Sequence, residues 1–593
     1  MQYYDYNDKV KIKDKLFTPT HGVRLTGGLF REVFDNNREF TKTQLSIERT
    51  RYWFDVKRGI TPNVERYPGH FEDNLKGQTA SQYLMCAGNV LRWEEDEELR
   101  RGMNEVLDFI EDTAEPDGFM MPIDEEMFAI REYPHYVRIW LTYGLIAAAK
   151  AGEKRALVML RRWQDWFNSC PDLPVIKYLE LAFQGVVASP SVYLTEIGKP
   201  EDIEIGRKYY EESWRLAQFI SREKNAVHIR KQHGHEPHPH GSELEGFEGY
   251  LDLYRCTGAN YFLNAVRGCI ELYRHDWQHI GGGIVMIESF EGQGNRLSPG
   301  CNYFYKEWEG RRCNYNELCC SSFWLHLHQR MHRLFPDAEE HVFEIEQSLY
   351  NVAIANQNGS VDIRYCAYLD DQKALPVRPN HCCAGVGTRI FGSLPEYLFS
   401  LTPDTLSVDL FGGCELMWET KRGTVKVTET TDFPYNGKVR LKLGMELSQY
   451  LTIRIRIPCW AEGEVPIKLN GEVVATGKPG SFEVIARDYK DGDEFEFEFV
   501  YPVKAKLYHG IENVEGYDRY AYTVGPILMA VVSERNHEWG VVLPGKGDEL
   551  PGKLIETSPL HYDIAGTDKK LVPYFELGEE KFTCFPMFRK ESE

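Results

Sequence analysis

Two short stretches of cysteine hold the residues of this chain best suited to chemistry. One is Asn316-Glu317-Leu318-Cys319-Cys320; the other is His381-Cys382-Cys383-Ala384-Gly385. Together they offer a carboxylate and at least three thiols, a plausible tetrahedral Cys3Glu shell for zinc. Such a shell could be a closed structural site that ties helices together, or a site whose thiolate reacts. Spacing alone leaves both open. A disulfide between the adjacent Cys382 and Cys383 is disfavoured, and the neighbouring Cys313 and Cys320 read as buried inert thiols.

The elements that must position these residues fall into two halves. From about Thr26 to Leu401 the chain reads as helical. Segments such as Gly77–Trp93, Glu98–Thr113, Tyr136–Ala151, Lys154–Phe167 and Glu201–Ser221 repeat apolar residues every three or four positions. Glu115-Pro116-Asp117-Gly118, Cys170-Pro171-Asp172 and Gly198-Lys199-Pro200 separate them. Many helices of similar length with short loops predict an α/α toroid rather than one bundle. Past Pro403 the period changes to two. Thr424–Thr430, Lys438–Leu443, Tyr450–Ile457, Phe482–Ile485 and Glu494–Val500 alternate, with turns at Asn436-Gly437, Asn470-Gly471 and Asp491-Gly492. This predicts an antiparallel β-sandwich. A second β-rich stretch, which includes Arg519–Val532, follows from about Lys504. The expected division is an extended segment over 1–20, a helical catalytic domain over 21–402, a β-sandwich over 403–503 and a β-rich domain over 504–593.

A chain of 593 residues is too long for a single core. Its net charge of −21 argues against nucleic acid and anionic membrane as partners. No run of about 18 apolar residues is present, so no transmembrane helix is expected. The N-terminus has no apolar signal-like core. The 14 cysteines then read as reduced thiols, and the expected compartment is the cytoplasm. The 12 Trp and 34 Tyr are enough to line a sugar cleft as well as to fill cores.

The chain resembles the β-L-arabinofuranosidase type of glycoside hydrolase, family 127, once known as domain of unknown function 1680. The resemblance runs over nearly the whole chain. It is carried by Val23-Arg24-Leu25, by Gly69-His70-Phe71 leading into Gly77-Gln78-Thr79-Ala80-Ser81-Gln82, and by Pro116-Asp117-Gly118-Phe119. His240 through Glu248, Leu253-Tyr254-Arg255-Cys256-Thr257-Gly258, Ser348-Leu349-Tyr350-Asn351, Ile457-Pro458-Cys459-Trp460 and Gly525-Pro526 extend it. Its most specific part is Glu-x-Cys followed by Cys-Cys-x-x-x-Gly, in that order. The resemblance implies an (α/α)6 barrel followed by β-sandwich domains. It also implies that Glu317, Cys319, Cys382 and Cys383 bind zinc, that Cys382 is the nucleophile, and that an upstream Glu is the general acid/base.

The chemistry is consistent with that assignment. Only thiolate attacks, and a free thiol is mostly protonated at neutral pH. Zinc removes the proton and holds the sulfur. Zinc also weakens the nucleophile and improves it as a leaving group, and a −2 shell offsets part of the loss. Double displacement with retention follows.

Family members place the acid soon after a glycine run. Here Gly282-Gly283-Ile284 is followed by Glu288 and Glu291. Glu288 keeps the family's Glu-Ser-Phe triplet and Glu291 keeps its spacing from the glycines. Glu307 and Glu309 lie in a segment longer than in the arabinofuranosidases. His240 is the best sugar-contact candidate of the cluster His233, His235, His238 and His240, because neutral imidazole both donates and accepts. His70 and Glu248 are further candidates. Tyr136 or Arg138 stands where a family histidine is expected, and a pocket arginine would suit a sugar carboxylate. The expected partner is a small oligosaccharide or glycoside, with a homodimer as a further expectation. The competing readings are a carbohydrate-binding protein with a structural zinc and a lyase or isomerase on the same barrel.

Overall fold

The computed structural model describes residues 9–590, except 69–71, 74, 130–132, 171–182, 213, 224–240, 277, 285–314, 358–360, 374–378 and 509–513. Six helices form an inner ring: α1 (Gln78–Leu91), α2 (Tyr133–Lys150), α3 (Phe183–Tyr193), α4 (Gly241–Thr257), α5 (Leu318–Leu334) and α6 (Cys382–Gly392). Each packs on the next, and α6 packs back on α1, so the ring closes. A second helix covers each of these from outside: Glu97–Thr113, Arg155–Ser169, Pro200–Glu212, Asn260–Asp276, Glu339–Ser348 and Gly28–Gln44 in turn. This is the (α/α)6 barrel.

The two rings differ in composition for a physical reason. An outer helix has one wet face: Glu97–Thr113 buries Leu99, Met103, Val106, Leu107 and Ile110 at helical spacing, with Gly102, Phe109 and Thr113 beside them, and turns its charged residues outward. Asp96 caps it, accepting from the Glu98 and Leu99 N–H groups. An inner helix has none. Every residue of α1 is buried, and its polar Gln78 and Gln82 must find partners inside the protein.

The ring helices run parallel. Their C-terminal ends leave carbonyls without helical partners. Residues 9–17, predicted to be extended, cross that end and supply donors. The Lys11 and Ile12 N–H groups donate to Arg255 O at 2.9 and 3.0 Å, and Lys15 N–H donates to Arg333 O at 2.9 Å. Lys9 Nζ donates to Thr195 O at 2.5 Å, just past α3.

Strands begin with Val23–Leu25, which pairs antiparallel with Cys414–Thr420 at the edge of a seven-stranded sheet. Helical periodicity gave no hint that so early a segment joins the β half. The rest of that sheet is Gly423–Thr431, Lys438–Met445, Glu494–Glu498, Val465–Leu469 and Glu472–Gly477. A four-stranded sheet contains Ser481–Tyr489, Gln449–Ile457, Thr405–Val408 and Phe399–Leu401. It is mixed rather than antiparallel throughout, because Gln449–Ile457 pairs parallel with Thr405–Val408. Rings of Phe411, Phe433, Trp460, Phe497 and Phe499 pack together in the β half. Asn470 and Gly471 both have positive φ, as a tight hairpin turn requires. Asn436-Gly437 instead lies in a longer connection with a cis Phe433-Pro434 bond. A third sheet includes the hairpin of Tyr517–Val524 and Ile527–Val532 around Gly525-Pro526. Among the described residues no helix is long and apolar enough to cross a membrane.

Two buried polar joints fasten barrel to sheets. Asn351 Nδ2 donates to Gly281 O at 2.9 Å and to Pro526 O at 2.8 Å, while its Oδ1 accepts from Leu528 N–H at 2.8 Å. The other joint is Arg456, fully buried. It donates to Glu339 at 2.8 Å and to Glu346 at 2.9 Å, both on the outer helix Glu339–Ser348. Trp460 Nε1 adds a bond to Glu346 at 2.8 Å. Removing one partner of such a cluster strands the others in a dry interior. Arg456→Met is expected to lower stability by about 3–5 kcal/mol, read as a shift in the denaturation midpoint. A variant as stable as the parent would refute this account of the joint.

Candidate active site

The N-terminal ends of the inner helices surround one mouth of the barrel. Cys382 is the first residue of α6 and Cys383 the second; Cys319 is the second residue of α5. Helix starts present unpartnered N–H groups and a partial positive charge, which favours thiolate over thiol. The three Sγ atoms all lie within 4.8 Å of one another. Cys383 Sγ is 3.1 Å from Cys319 Sγ, too long for a disulfide. Glu317 Oε1 is 3.5 Å from Cys383 Sγ.

Each of these side chains is aimed by its surroundings. Glu317 occupies the N-cap of α5 in an extended conformation, yet its side chain makes no capping bond. Its carboxylate is turned to Cys383 instead. The short ladder of Tyr315–Glu317 against Cys366–Tyr368 fixes it there, with Glu317 opposite Cys366. That pairing was not foreseen from the sequence, since three-residue strands leave no periodic signal. Tyr365, just before the ladder, reaches Cys382 Sγ at 3.5 Å through its hydroxyl.

His381 caps α6. Its Nδ1 accepts from Ala384 N–H at 3.0 Å, so Nε2 bears the proton and donates to Ile363 O at 3.2 Å. Helix α1 grips the approach: Gln78 Nε2 donates to Asn380 O at 2.8 Å and Gln82 Nε2 to His381 O at 3.1 Å. A Cβ on Gly385 would sit 2.5 Å from Gln82 and 2.6 Å from Trp140, so only glycine lets α6 approach this closely. The sequence resemblance at Gln78–Gln82 thus reflects a support for the thiol loop.

Burial opposes ionisation of the Cys382 thiol, but hydrogen bonding from Cys319 and Cys383, with His381 and Tyr365, pulls it well below the usual thiol range. Cys319 and Cys383 go the other way, pushed up by burial and by their neighbours. Cys382 is also the most accessible of the four, 6% exposed against 3% for Cys319, 1% for Glu317 and 0% for Cys383. The three thiols, close together and withdrawn from water, could hold a metal ion, and the Glu317 carboxylate stands 3.5 Å from one of them. Sulfurs bound to one tetrahedral zinc lie about 3.8 Å apart, from bonds of about 2.3 Å, between the 3.1 Å of the Cys319–Cys383 pair and the 4.8 Å that bounds the cluster.

Other expected residues divide. Tyr136 lies beside the thiols. Burial pushes its phenol well up, and Cys319, Cys382, Glu245 and Cys383 add to the effect. Its ring packs on Trp140 at 4.9 Å. Arg138, two residues on, points the other way: it donates to Gln164 at 2.7 Å and stacks over Phe167 at 3.5 Å. A 200° turn of helix separates it from Tyr136. Glu248 lies in a cluster of charged and polar side chains. It pairs with Arg330 at 2.7 Å and Arg389 at 3.5 Å, and it accepts from the Tyr143 hydroxyl at 3.4 Å. His326, held neutral chiefly by burial, is 3.6 Å away. These groups engage Glu248 within the protein rather than offering it to a sugar. His70, His240, Glu288 and Glu291 lie outside the described residues, as do His233, His235, His238, Glu307, Glu309 and Cys313. The glycine run before Glu288 ends at Ile284, whose N–H donates to Ser321 on α5 at 3.2 Å.

The catalytic-domain model of the glycoside hydrolase 127 β-L-arabinofuranosidases matches residues 22–396. The chain belongs to glycoside hydrolase family 127. It is therefore a glycoside hydrolase with a carbohydrate substrate, and the family's middle-domain model matches residues 405–501. No curated protein matches the chain. Solved structures share the family 127 fold from end to end. The GH127 β-arabinofuranosidase BT3674 is 18% identical with a TM-score of 0.74, covering 98% of both chains. Ara127N-Se, a GH127 β-L-arabinofuranosidase from Geobacillus stearothermophilus T6, is 19% identical with a TM-score of 0.69, covering 96% of this chain and all of that one. A third structure, described as a glycoside hydrolase, is 16% identical with a TM-score of 0.72 over 99% of each.

The far end of the bore is closed by charge. Glu396 pairs with Arg92 at the end of α1 and accepts from Gln329 Nε2 at 3.1 Å. Burial alone would raise this carboxyl, but Arg92, Lys150 and Arg333 outweigh it and hold it at about 2. A carboxylate depressed in the folded state contributes stability above its unfolded pKa of roughly 4.3 and loses it as pH falls toward the folded value. Glu396→Gln is expected to melt below the parent at pH 7. The gap should narrow as pH drops from about 4.5 toward 2, measured by calorimetry across that range. A gap that widens on acidification would contradict the assignment.

Proposed function

We propose that this chain is a zinc-dependent retaining glycoside hydrolase with Cys382 as nucleophile. The observation that supports it best is the meeting of Glu317, Cys319, Cys382 and Cys383 at the N-terminal mouth of the family's catalytic barrel. Glu317, Cys319, Cys382 and Cys383 would hold the ion. When bound, zinc removes the thiol protons and adds the positive charge that keeps the sulfurs ionised in a dry site. Cys382 Sγ attacks the anomeric carbon while an acid protonates the departing glycosidic oxygen. The same carboxylate then takes a proton from water, which displaces Cys382 and returns the sugar with its configuration retained. Glu288 and Glu291 are the proposed acids. The segment bearing them leaves Ile284 next to α5, on the thiol side, which favours this placement. His240 and His70 are proposed sugar contacts, and Tyr136, beside the thiols, is a third.

The proposed substrate is a β-L-arabinofuranoside or a related rare sugar of plant-type glycans. The solved family 127 structures named above act on such linkages by their descriptions, and the barrel and thiols are shared with that family. The unit over 21–402 would carry the reaction, with 403–503 and 504–593 as supports.

Two measurements test this. Purified protein should contain about one zinc per chain by elemental analysis, and Cys383→Ser should lose most of it. Cys382→Ala should cut hydrolysis of an aryl β-L-arabinofuranoside by at least about 1,000-fold with its melting temperature little changed. Turnover surviving in that variant would remove Cys382 as nucleophile. Loss of zinc and of folding together would mark a structural metal. Of Glu288→Gln and Glu291→Gln, the one that loses more activity on a poor leaving group than on a nitrophenolate identifies the acid.

A further inference from the structure

Glu245 lies on α4, one turn before Glu248 and on the same helical face. Glu248 touches α2 through Tyr143, α5 through Arg330 and His326, and α6 through Arg389. A side chain on α4 that reaches those three helices stands on the axis of the ring. Glu245 is therefore above it on that axis, a turn nearer the thiol mouth. Tyr136, in the first turn of α2, is within electrostatic range of both Glu245 and the three cysteines. The order along the bore is charge plug, Glu245, thiols.

Glu245 is fully buried, and among the described residues neither of its carboxylate oxygens has a hydrogen-bond partner. A carboxyl in that state is costly unless something else satisfies it. Burial and the nearby Glu248 push it well above the usual carboxylate range, with Arg389 opposing. A neutral carboxylic acid offers one O–H donor and a carbonyl acceptor, which is what a sugar hydroxyl needs.

We propose that Glu245 is a substrate-binding group that forms the floor of the sugar pocket and takes one hydroxyl of a neutral sugar. The inference rests on the reading that the thiols mark the anomeric carbon. It narrows the substrate class: Arg330 and Arg389 are already paired with Glu248, and Arg138 faces away, so among the described residues these three offer no spare cation to a uronic acid.

The test uses the full-length, zinc-loaded enzyme and the aryl glycoside it turns over fastest, together with the series of its single-deoxy analogues. Glu245→Leu should melt no lower than the parent, since it removes a buried polar group that has no hydrogen-bond partner to lose among the described residues. It should lower kcat/KM for the full sugar by about 100-fold. For one member of the deoxy series the same substitution should cost less than about threefold, because the hydroxyl it reads is already gone. Glu245→Gln, which keeps a donor and an acceptor, should stay within about tenfold of the parent. An equal loss across the whole series, no loss at all, or a variant that no longer melts cooperatively would overturn the proposal. Cys382→Ala, assayed in parallel, separates the two ideas. Activity retained there removes the nucleophile, whereas the deoxy discrimination reads Glu245 alone.

Discussion

The constraint on which this structure depends is the parallel packing of six helices around one axis. Parallel helices bring all their N–H ends to one face and all their carbonyl ends to the other. The first face suits anions and the second suits cations. Cys319, Cys382 and Cys383 occupy first and second helical positions on the N-terminal face. Arg92, Lys150, Arg255 and Arg333 lie at the other, where Glu396 and Asp14 balance them. A thiol-rich centre therefore lies where the backbone already favours negative charge.

Burial then sets the cost. Inner helices have no wet face, so each polar group in the bore must be paired. Glu248, Arg330 and Arg389 do this for one another, and His326 accommodates them by staying neutral. Gln78 and Gln82 do it by gripping the backbone before Cys382. The barrel interior thus holds polar layers that pair with one another beneath the thiols, with Glu245 the buried carboxyl that finds no hydrogen-bond partner among the described residues. The joints at Asn351 and Arg456 extend the same logic outward, using buried polar groups where barrel and sheets meet.

Much of this was legible from the residues. Helical spacing over Glu98–Thr113 and alternation over Lys438–Leu443 each report a face that water wets, and the structure places a helix and a strand there. The hairpin turn at Asn470-Gly471 has the positive φ values that its residues favour. Arg138 and Glu248 were harder to place. A charge on a buried helix can face a ligand or another helix, and periodicity does not distinguish the two when every face is buried. The Val23–Leu25 strand and the Tyr315–Glu317 ladder were invisible because three residues are too few to show a period.

By itself the sequence determined the element types and the two-part architecture, because those follow from local pattern; the four candidate ligands were named by the family resemblance of two short motifs. Only the tertiary structure decided which side chains share a space. It brought Cys319 within 3.1 Å of Cys383 and turned Arg138 away from Tyr136. It also set Glu245 above Glu248 on the axis. The reason is that ring closure joins α6 to α1 across some 300 residues of chain, and no local period encodes a contact at that separation.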